Sequence, residues 1–153
     1  MVTFREATID DMRLLFDWRN EQETRKNAFN SSALSWKRHS DWLQRRINSF
    51  NSYLFILADY QSTPVGQVRF DIKGDGFAEI TISIDVNHRG KNYASEGLTK
   101  TCSYMKNVKK LKKIFAYVKK ENVASCKCFR KAGFENVREV KIKSFDCYLM
   151  VYA

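Results

Sequence analysis

The sequence predicts an α+β fold, a mixed β-sheet of about seven strands flanked by about four helices. Three observations carry this expectation. Residues 79–86, Glu79-Ile80-Thr81-Ile82-Ser83-Ile84-Asp85-Val86, alternate polar and apolar side chains with the two-residue period of a strand. Apolar residues recur at helical spacing after Thr8 and again after Ser35, each behind a residue type that caps helices. The resulting order, β-α-α-β-β-β-α-β-α-β-β, places a meander between two helical stretches, which calls for helices on both faces of the sheet.

Val2 to Glu6 alternates as a short strand, and Thr8-Ile9-Asp10-Asp11 reads as an N-cap with an acidic first turn. The following helix shows Leu14, Leu15 and Trp18 on one face, and its pattern dissolves between Glu23 and Asn27. Residues 28–34 read as a loop. Ser35 caps a second helix with Trp36, Leu43 and Ile47 in its stripe and Arg38, Arg45 and Arg46 outside it. Tyr53–Asp59 and Val65–Ile72 form a predicted hairpin around Gln61-Ser62-Thr63-Pro64, and Lys73-Gly74-Asp75-Gly76 turns the chain into Phe77–Val86. A helix over Tyr93–Asn107, a strand over Lys113–Lys119 and a helix over Val123–Ala132 follow. Gly133 stands at a helix C-cap, before strands over Glu135–Ile142 and Phe145–Val151.

With 153 residues and 44% hydrophobic content, residues 1–153 read as a single domain with a core of its own. The start Met1-Val2-Thr3-Phe4-Arg5-Glu6 lacks a basic-then-apolar leader, and no apolar run nears the roughly 18–20 residues of a membrane helix. The expectation is a soluble, cytoplasmic protein without membrane contact. Cys102, Cys126, Cys128 and Cys147 show no Cys-x-x-Cys spacing, and His39 and His88 are remote from them in sequence, so no metal site is expected and the thiols read as small packed hydrophobes. Net charge is +10 and local: Lys106–Lys143 holds 13 Lys/Arg against 3 Asp/Glu, and the rest of the chain balances. Such a field steers anions to the later half of the molecule.

That half carries two motifs. Arg89-Gly90-Lys91-Asn92-Tyr93-Ala94 joins a strand to a helix start, where small residues and a lysine let backbone N–H groups converge on an anion. The second is Asn122-x-x-Ser125-x-x-x-Phe129-x-Lys131-x-Gly133-Phe134. Together, in this order and separation, they resemble the Gcn5-related N-acetyltransferase (GNAT) superfamily, and the resemblance covers essentially the whole chain. One departure is Asn92, standing where a glycine is usual. Asparagine accepts left-handed backbone angles better than most residues.

The resemblance implies acetyl-CoA as cosubstrate and a sheet splayed in the middle. The strand residues Ser83, Ile84, Asp85 and Val86 would then offer backbone groups to the thioester and pantetheine. Arg89, Gly90, Lys91, Asn92, Tyr93 and Ala94 would hold the pyrophosphate, and Asn122, Ser125, Phe129 and Lys131 would complete the coenzyme site. Asn122 and Ser125 also read simply as helix-capping residues. Acetyl transfer needs a base for the amine: Glu79 is the first candidate, as related enzymes carry a glutamate near this place, and His88 is the second. Many relatives have a tyrosine acid at the position of Phe129, which has no proton to give, so the acid is unassigned.

For the acceptor, Trp18-Arg19-Asn20, Arg25, Phe29 and Ser35-x-x-x-His39-x-x-Trp42-Leu43 resemble the subgroup that acetylates the 4-amino group of nucleotide-linked aminodideoxysugars. Arg19 and Arg25 would pair with the diphosphate and Trp18, Phe29 or Trp42 would stack on a base or sugar, with His39 nearby; taken singly, Trp18 and Trp42 read as core residues. A related group acetylates protein N-terminal amines and shares both coenzyme motifs. Polyamines suit a +10 protein less well. A nucleic-acid-binding module is a reading of another class, opposed by the absence of interleaved aromatics in the lysine run 106–113. The C-terminal strands, with Phe145, Tyr148, Leu149 and Tyr152, supply either a core edge or the interface of a homodimer.

Overall fold

The computed structural model describes residues 1–152; Ala153, the last residue of the expected domain, lies outside the described residues. Seven strands form one sheet: β1 (Thr3–Glu6), β2 (Ser52–Ala58), β3 (Pro64–Gly74), β4 (Phe77–Ile84), β5 (Lys113–Lys119), β6 (Phe134–Ile142) and β7 (Phe145–Tyr152). Their spatial order is β1-β2-β3-β4-β5-β7-β6. Neighbours are antiparallel except β4 and β5, which are parallel because helix α4 (Tyr93–Asn107) carries the chain back between them.

The two-residue period of the strands divides the sheet into two faces. Val68, Phe70, Ala78, Ile80, Ile114, Ala116 and Val118 pack against Leu98, Cys102 and Met105 of α4 and Cys126 and Phe129 of α5 (Val123–Lys131), with Tyr148 and Tyr152 at the margin. Gly97 makes the close approach of α4 possible, since a Cβ there would lie 2.5 Å from Leu57 Cδ1. On the other face a smaller core joins Leu54 and Ile56 to Leu15 and Trp18 of α1 (Met12–Asn20) and Leu43 of α3 (Trp36–Ile47). Strand β2 thus buries both faces, in keeping with its nearly unbroken apolar run.

The expected elements form, with three differences. The stretch where the helical pattern dissolves is itself a helix, α2 (Gln22–Asn27), so the sheet carries five α-helices rather than about four. It buries no side chain and starts where the Glu21 carboxylate accepts the Glu23 N–H, a signal of capping rather than of periodicity. Thr8 caps a 3₁₀ turn over Ile9–Asp11 in a reciprocal box with Asp11, and α1 begins one turn later. Asp11 is buried there against Arg5, whose two direct hydrogen bonds of 2.8 and 2.9 Å hold its carboxyl below the ordinary range. In α3 the stripe is buried only at its middle, by His39 and Leu43; Trp36 and Ile47 lie at its ends and are 45% and 37% exposed. Among the described residues no helix is long and apolar enough to cross a membrane.

Candidate functional site

The sheet opens between β4 and β5. Their pairing covers only Phe77–Glu79 against Lys113–Phe115, although β4 runs on to Ile84 and β5 to Lys119. Beyond the vertex the packing changes too: Ala78 and Ile80 are buried, whereas residues 81–85 are all half-buried. Asp85 N–H donates to Val65 C=O at 2.8 Å, which fixes the alternation of the β3–β4 ladder. The backbone groups of Glu79, Thr81, Ser83 and Asp85 face β3, and those of Ile80, Ile82 and Ile84 face the opening. Of the expected segment 83–86, Ile84 has its backbone groups on the side of the opening, as does Ile82. Ser83 and Asp85 spend their backbone on β3, and Val86 lies in a 3₁₀ turn over Val86–His88. The alternation of the ladder thus divides the consecutive residues of the expected segment between its two sides.

At the far end of β4 the chain passes through Gly90 (φ +77°) and Asn92 (φ +69°) into α4. A Cβ at Gly90 would meet nothing within 4 Å, so an open space lies against the turn. Asn92 has no capping bond to the helix backbone, and the first helical bond runs from Glu96 N–H to Asn92 C=O, which points the Tyr93, Ala94 and Ser95 N–H groups out of the helix end. The Asn92 Oδ1 accepts from Ser95 Oγ at 2.6 Å and from Lys131 Nζ at 2.7 Å. Residues from both sequence motifs thereby meet at one helix terminus, with Lys91 exposed beside them. Left-handed turn, free amides and two cations are the donor set a pyrophosphate requires. On α5, Asn122 Oδ1 accepts the Ser125 N–H at 3.2 Å; the capping role is real, and it leaves the Asn122 amide N–H₂ and the half-buried Ser125 hydroxyl for a ligand.

Glu79 occupies the vertex, on the face opposite α4 and α5, paired in register with Asp71 and Phe115. Its carboxylate is 3.8 Å from Lys73 Nζ. Along the same face run Thr81 and Ser83, with Gln67 Nε2 donating to Ser83 Oγ at 2.9 Å and Arg69 Nη2 to Thr81 Oγ1 at 3.4 Å. Burial, then the neighbouring Arg46, lowers the Arg69 guanidinium to about 10, and Asp71 holds it through a 3.0 Å bond. His88 is not part of this group. Six residues of strand separate Glu79 from Asp85, about 20 Å of rise, and His88 Nδ1 donates to Asp85 Oδ2 at 2.8 Å at that distant end.

Several expected contacts are committed elsewhere. Trp18 is 6% exposed and its Nε1 donates to Asp85 Oδ1 at 2.8 Å, so it braces the end of β4 and has no free face for a base. Burial pushes the Asp85 carboxyl up, but His88, the Trp18 indole and the Asn87 N–H together outweigh it and leave it below its ordinary range. His39 is 1% exposed, with Nε2 donating to Met12 C=O at 3.1 Å. Burial keeps its ring neutral. Neither residue is placed to touch an acceptor. Arg19 and Arg25 donate to the carbonyls of Asn30 and Ser31, latching loop 28–34, and burial followed by Arg25 lowers the Arg19 guanidinium. Phe29 packs against Phe145 at 6.4 Å between centroids. Arg89 pairs with Glu21 rather than facing the turn it opens. Phe129 is 3% exposed, edge-on to Phe134 at 4.9 Å, and packs in the main core.

The sequence reading missed Lys119, a buried ammonium 3% exposed at the end of β5. It donates to Lys26 C=O at 3.1 Å and Ala28 C=O at 2.8 Å. A lysine within an apolar strand, where a polar head needs partners, was the available signal.

Comparison with known proteins agrees with this geometry. The sequence model of the Acetyltransferase (GNAT) domain matches residues 1–135. Among solved structures, the spermidine N-acetyltransferase from Vibrio cholerae in complex with CoA and spermine superposes with a TM-score of 0.89 at 20% identity, over 98% of this chain and 94% of that one. AAC(6')-Ib in complex with ribostamycin and coenzyme A superposes with a TM-score of 0.85 at 19% identity, over 99% and 93%. No curated protein sequence matches. At these identities the structural likeness is one of fold.

Proposed function

The chain belongs to the GNAT acetyltransferase family and is an acetyl-CoA-dependent N-acetyltransferase; from that premise we propose that it acetylates the 4-amino group of a nucleotide-linked aminodideoxysugar, with Glu79 as the base. The observation that carries the reading is the opening of β4 from β5 immediately after Glu79↔Phe115. When bound, acetyl-CoA supplies an acetyl group activated as a thioester. The Ile82 backbone edge and the Ile84 N–H bind the pantetheine arm, Asn122 and Ser125 support it, and residues 90–94 with Lys131 take the pyrophosphate.

Glu79 takes the proton from the acceptor ammonium, directly or through one water, and exposes the nitrogen lone pair toward the opening. Its carboxylate has a cationic neighbour in Lys73 at 3.8 Å. A sugar fits the adjoining wall, since Gln67, Thr81 and Ser83 are uncharged hydrogen-bonding groups of the kind that match hydroxyls. One half-buried carboxylate at the vertex suits a single amine better than a polycation. Arg25 keeps Nη donors beyond the one bond of its Nε, and these are the groups for a diphosphate.

The test is a thiol-release assay with purified protein, acetyl-CoA and four amines: a UDP-linked 4-amino-4,6-dideoxysugar, spermidine, ribostamycin and a peptide with a free N-terminus. Turnover of the UDP-sugar at a kcat/KM about tenfold or more above the other three supports the proposal. Preference for the peptide selects an N-terminal acetyltransferase, and preference for spermidine or ribostamycin replaces the sugar nucleotide.

A further inference from the structure

Helix α2 is tied to both arms of the β4–β5 opening. At its start, Arg89, from the turn that follows β4, pairs with the Glu21 carboxylate and donates through Nη2 to Thr24 Oγ1 at 3.2 Å. The same guanidinium donates through Nε to Ile84 C=O at 3.0 Å, on the free edge of β4. At its end, Lys119, the last residue of β5, donates to the carbonyls of Lys26 and Ala28, with its ammonium 3.5 Å from the centre of the Phe145 ring. Ile84 and Lys119 are the ends of the two diverging arms. A polar helix that buries no side chain is thus held at both termini by cations from the strands that form the site.

We propose that α2 is a strap that fixes the width of the opening and forms the wall past which the acceptor enters, and that Arg89 is a positioning residue for the acceptor, not a ligand of the coenzyme pyrophosphate. This rests on the acetyltransferase reading above. Three of the five N–H donors of Arg89 are used, and its charge is met by Glu21. Swinging it to a phosphate would strip the partly buried Glu21 of its cation and leave the Ile84 carbonyl unbonded, each a cost that a new ion pair must first recover. Glu21 is well matched to that cation: burial raises its carboxyl, but the Glu23 N–H and Arg89 outweigh this and lower it overall. An anion at the start of α4 has donors other than Arg89, because the first-turn amides of α4 are free and Lys131 Nζ reaches Asn92 there, with Lys91 exposed next to it in sequence.

Lys119 makes the same argument at the other end. A buried ammonium without a carboxylate is expensive unless its protons are satisfied. Here two carbonyls at the C-terminus of α2 and an aromatic face satisfy it, an arrangement the helix dipole favours. Methionine would fill the volume and leave both carbonyls unbonded.

The experiment compares Arg89→Gln, Lys119→Met and Glu21→Gln with the parent protein in three measurements: acetyl-CoA affinity by calorimetry, kinetics with the amine of the panel that is turned over, and hydrogen exchange of residues 21–31. The strap predicts acetyl-CoA Kd within about threefold of the parent, an acceptor KM raised about tenfold or more with a smaller change in kcat, and faster exchange across 21–31. The Glu21→Gln and Arg89→Gln effects should be non-additive, as they break one pair. A tenfold loss of acetyl-CoA affinity in Arg89→Gln with unchanged acceptor KM overturns the proposal and returns Arg89 to the pyrophosphate. Unchanged exchange across 21–31 also overturns it. Should Arg89→Gln not fold, Arg89→Lys keeps the charge and is read in the same way. If no amine is turned over, the acceptor assignment fails by itself, while Kd and exchange still decide the strap.

Discussion

Replacing Trp18 with phenylalanine separates a structural role from a binding one. The indole is 6% exposed among Leu15, Leu43, Leu54 and Ile56, and its single donor reaches Asp85 Oδ1 at 2.8 Å. Phenylalanine keeps most of the ring burial and deletes the N–H. A hydrogen bond to a charged acceptor is worth about 1.5–3 kcal/mol, and the smaller ring costs about another 1 kcal/mol in lost contacts. The variant should lose about 2–4 kcal/mol in urea unfolding, with an unchanged m value, and roughly 5–15 °C in Tm. Asp85 keeps His88 Nδ1 and the Asn87 N–H at 2.8 and 3.0 Å, so the turn beyond β4 holds and acetyl-CoA affinity should move by less than about threefold. A Trp18 that stacks on the acceptor would give the reverse: unaltered stability and a raised acceptor KM. That outcome would refute the bracing role.

Glu79→Gln should lower kcat by about 10²–10⁴ while acetyl-CoA binds within twofold of the parent in calorimetry; unchanged turnover removes Glu79 from the chemistry. Gly66→Ala places a Cβ 2.6 Å from Ser83 C=O, a backbone atom that cannot rotate away, so β4 must shift; a loss of about 1–3 kcal/mol in stability and weaker acetyl-CoA binding should follow, and a parent-like Tm would contradict the register. His39 is neutral in the fold, chiefly through burial, while in the unfolded chain it titrates near 6.5; protonation therefore favours unfolding, and stability should fall as pH drops below about 6.5. His39→Gln should flatten that limb of the pH–Tm curve. At Asn92, held at φ +69°, alanine should cost about 1–2 kcal/mol and raise acetyl-CoA Kd, whereas glycine should bind at least as well as asparagine; equal behaviour of the two variants would show that the left-handed turn is not what the residue supplies.

Strand periods and caps made most of the fold legible. Thr8, Ser35 and Asn122 cap in the structure as their residue types suggest, and the alternation of residues 79–86 places Glu79 on the face opposite the main core. What escaped was set by partners distant in sequence. Helix α2 has no apolar period to read, because its support comes from Arg89 and Lys119. Arg19 and Arg89 have the charge to bind a diphosphate, but the Asn30 and Ile84 carbonyls and Glu21 claim their donors first, while Arg25 spends only its Nε on Ser31 C=O, and no local pattern announces that competition. Trp18 and His39 looked like recognition residues for a related reason: a polar tip on a large ring serves a ligand or an internal acceptor equally well, and only tertiary placement selects between them.

Strand β4 shows how one sequence of eight residues can serve three purposes without conflict. Its even-numbered side chains, Ala78 to Ile84, face the main core, and substitution there would be felt as packing. Its odd-numbered side chains, Glu79, Thr81 and Ser83, face the other way and carry acid–base and hydrogen-bonding groups. The third purpose lies in the backbone edge, which becomes available because β5 stays paired with β7 over Ile114–Lys119 while leaving β4 after Phe115. Side-chain identity does not encode that edge, which explains why the strand could be assigned from its alternation while the division of its backbone groups between β3 and the opening could not. Under the proposed function, the same separation lets residues 79, 81 and 83 change with the β4 edge and the core left intact, so acceptor choice can diverge while coenzyme binding stays constant.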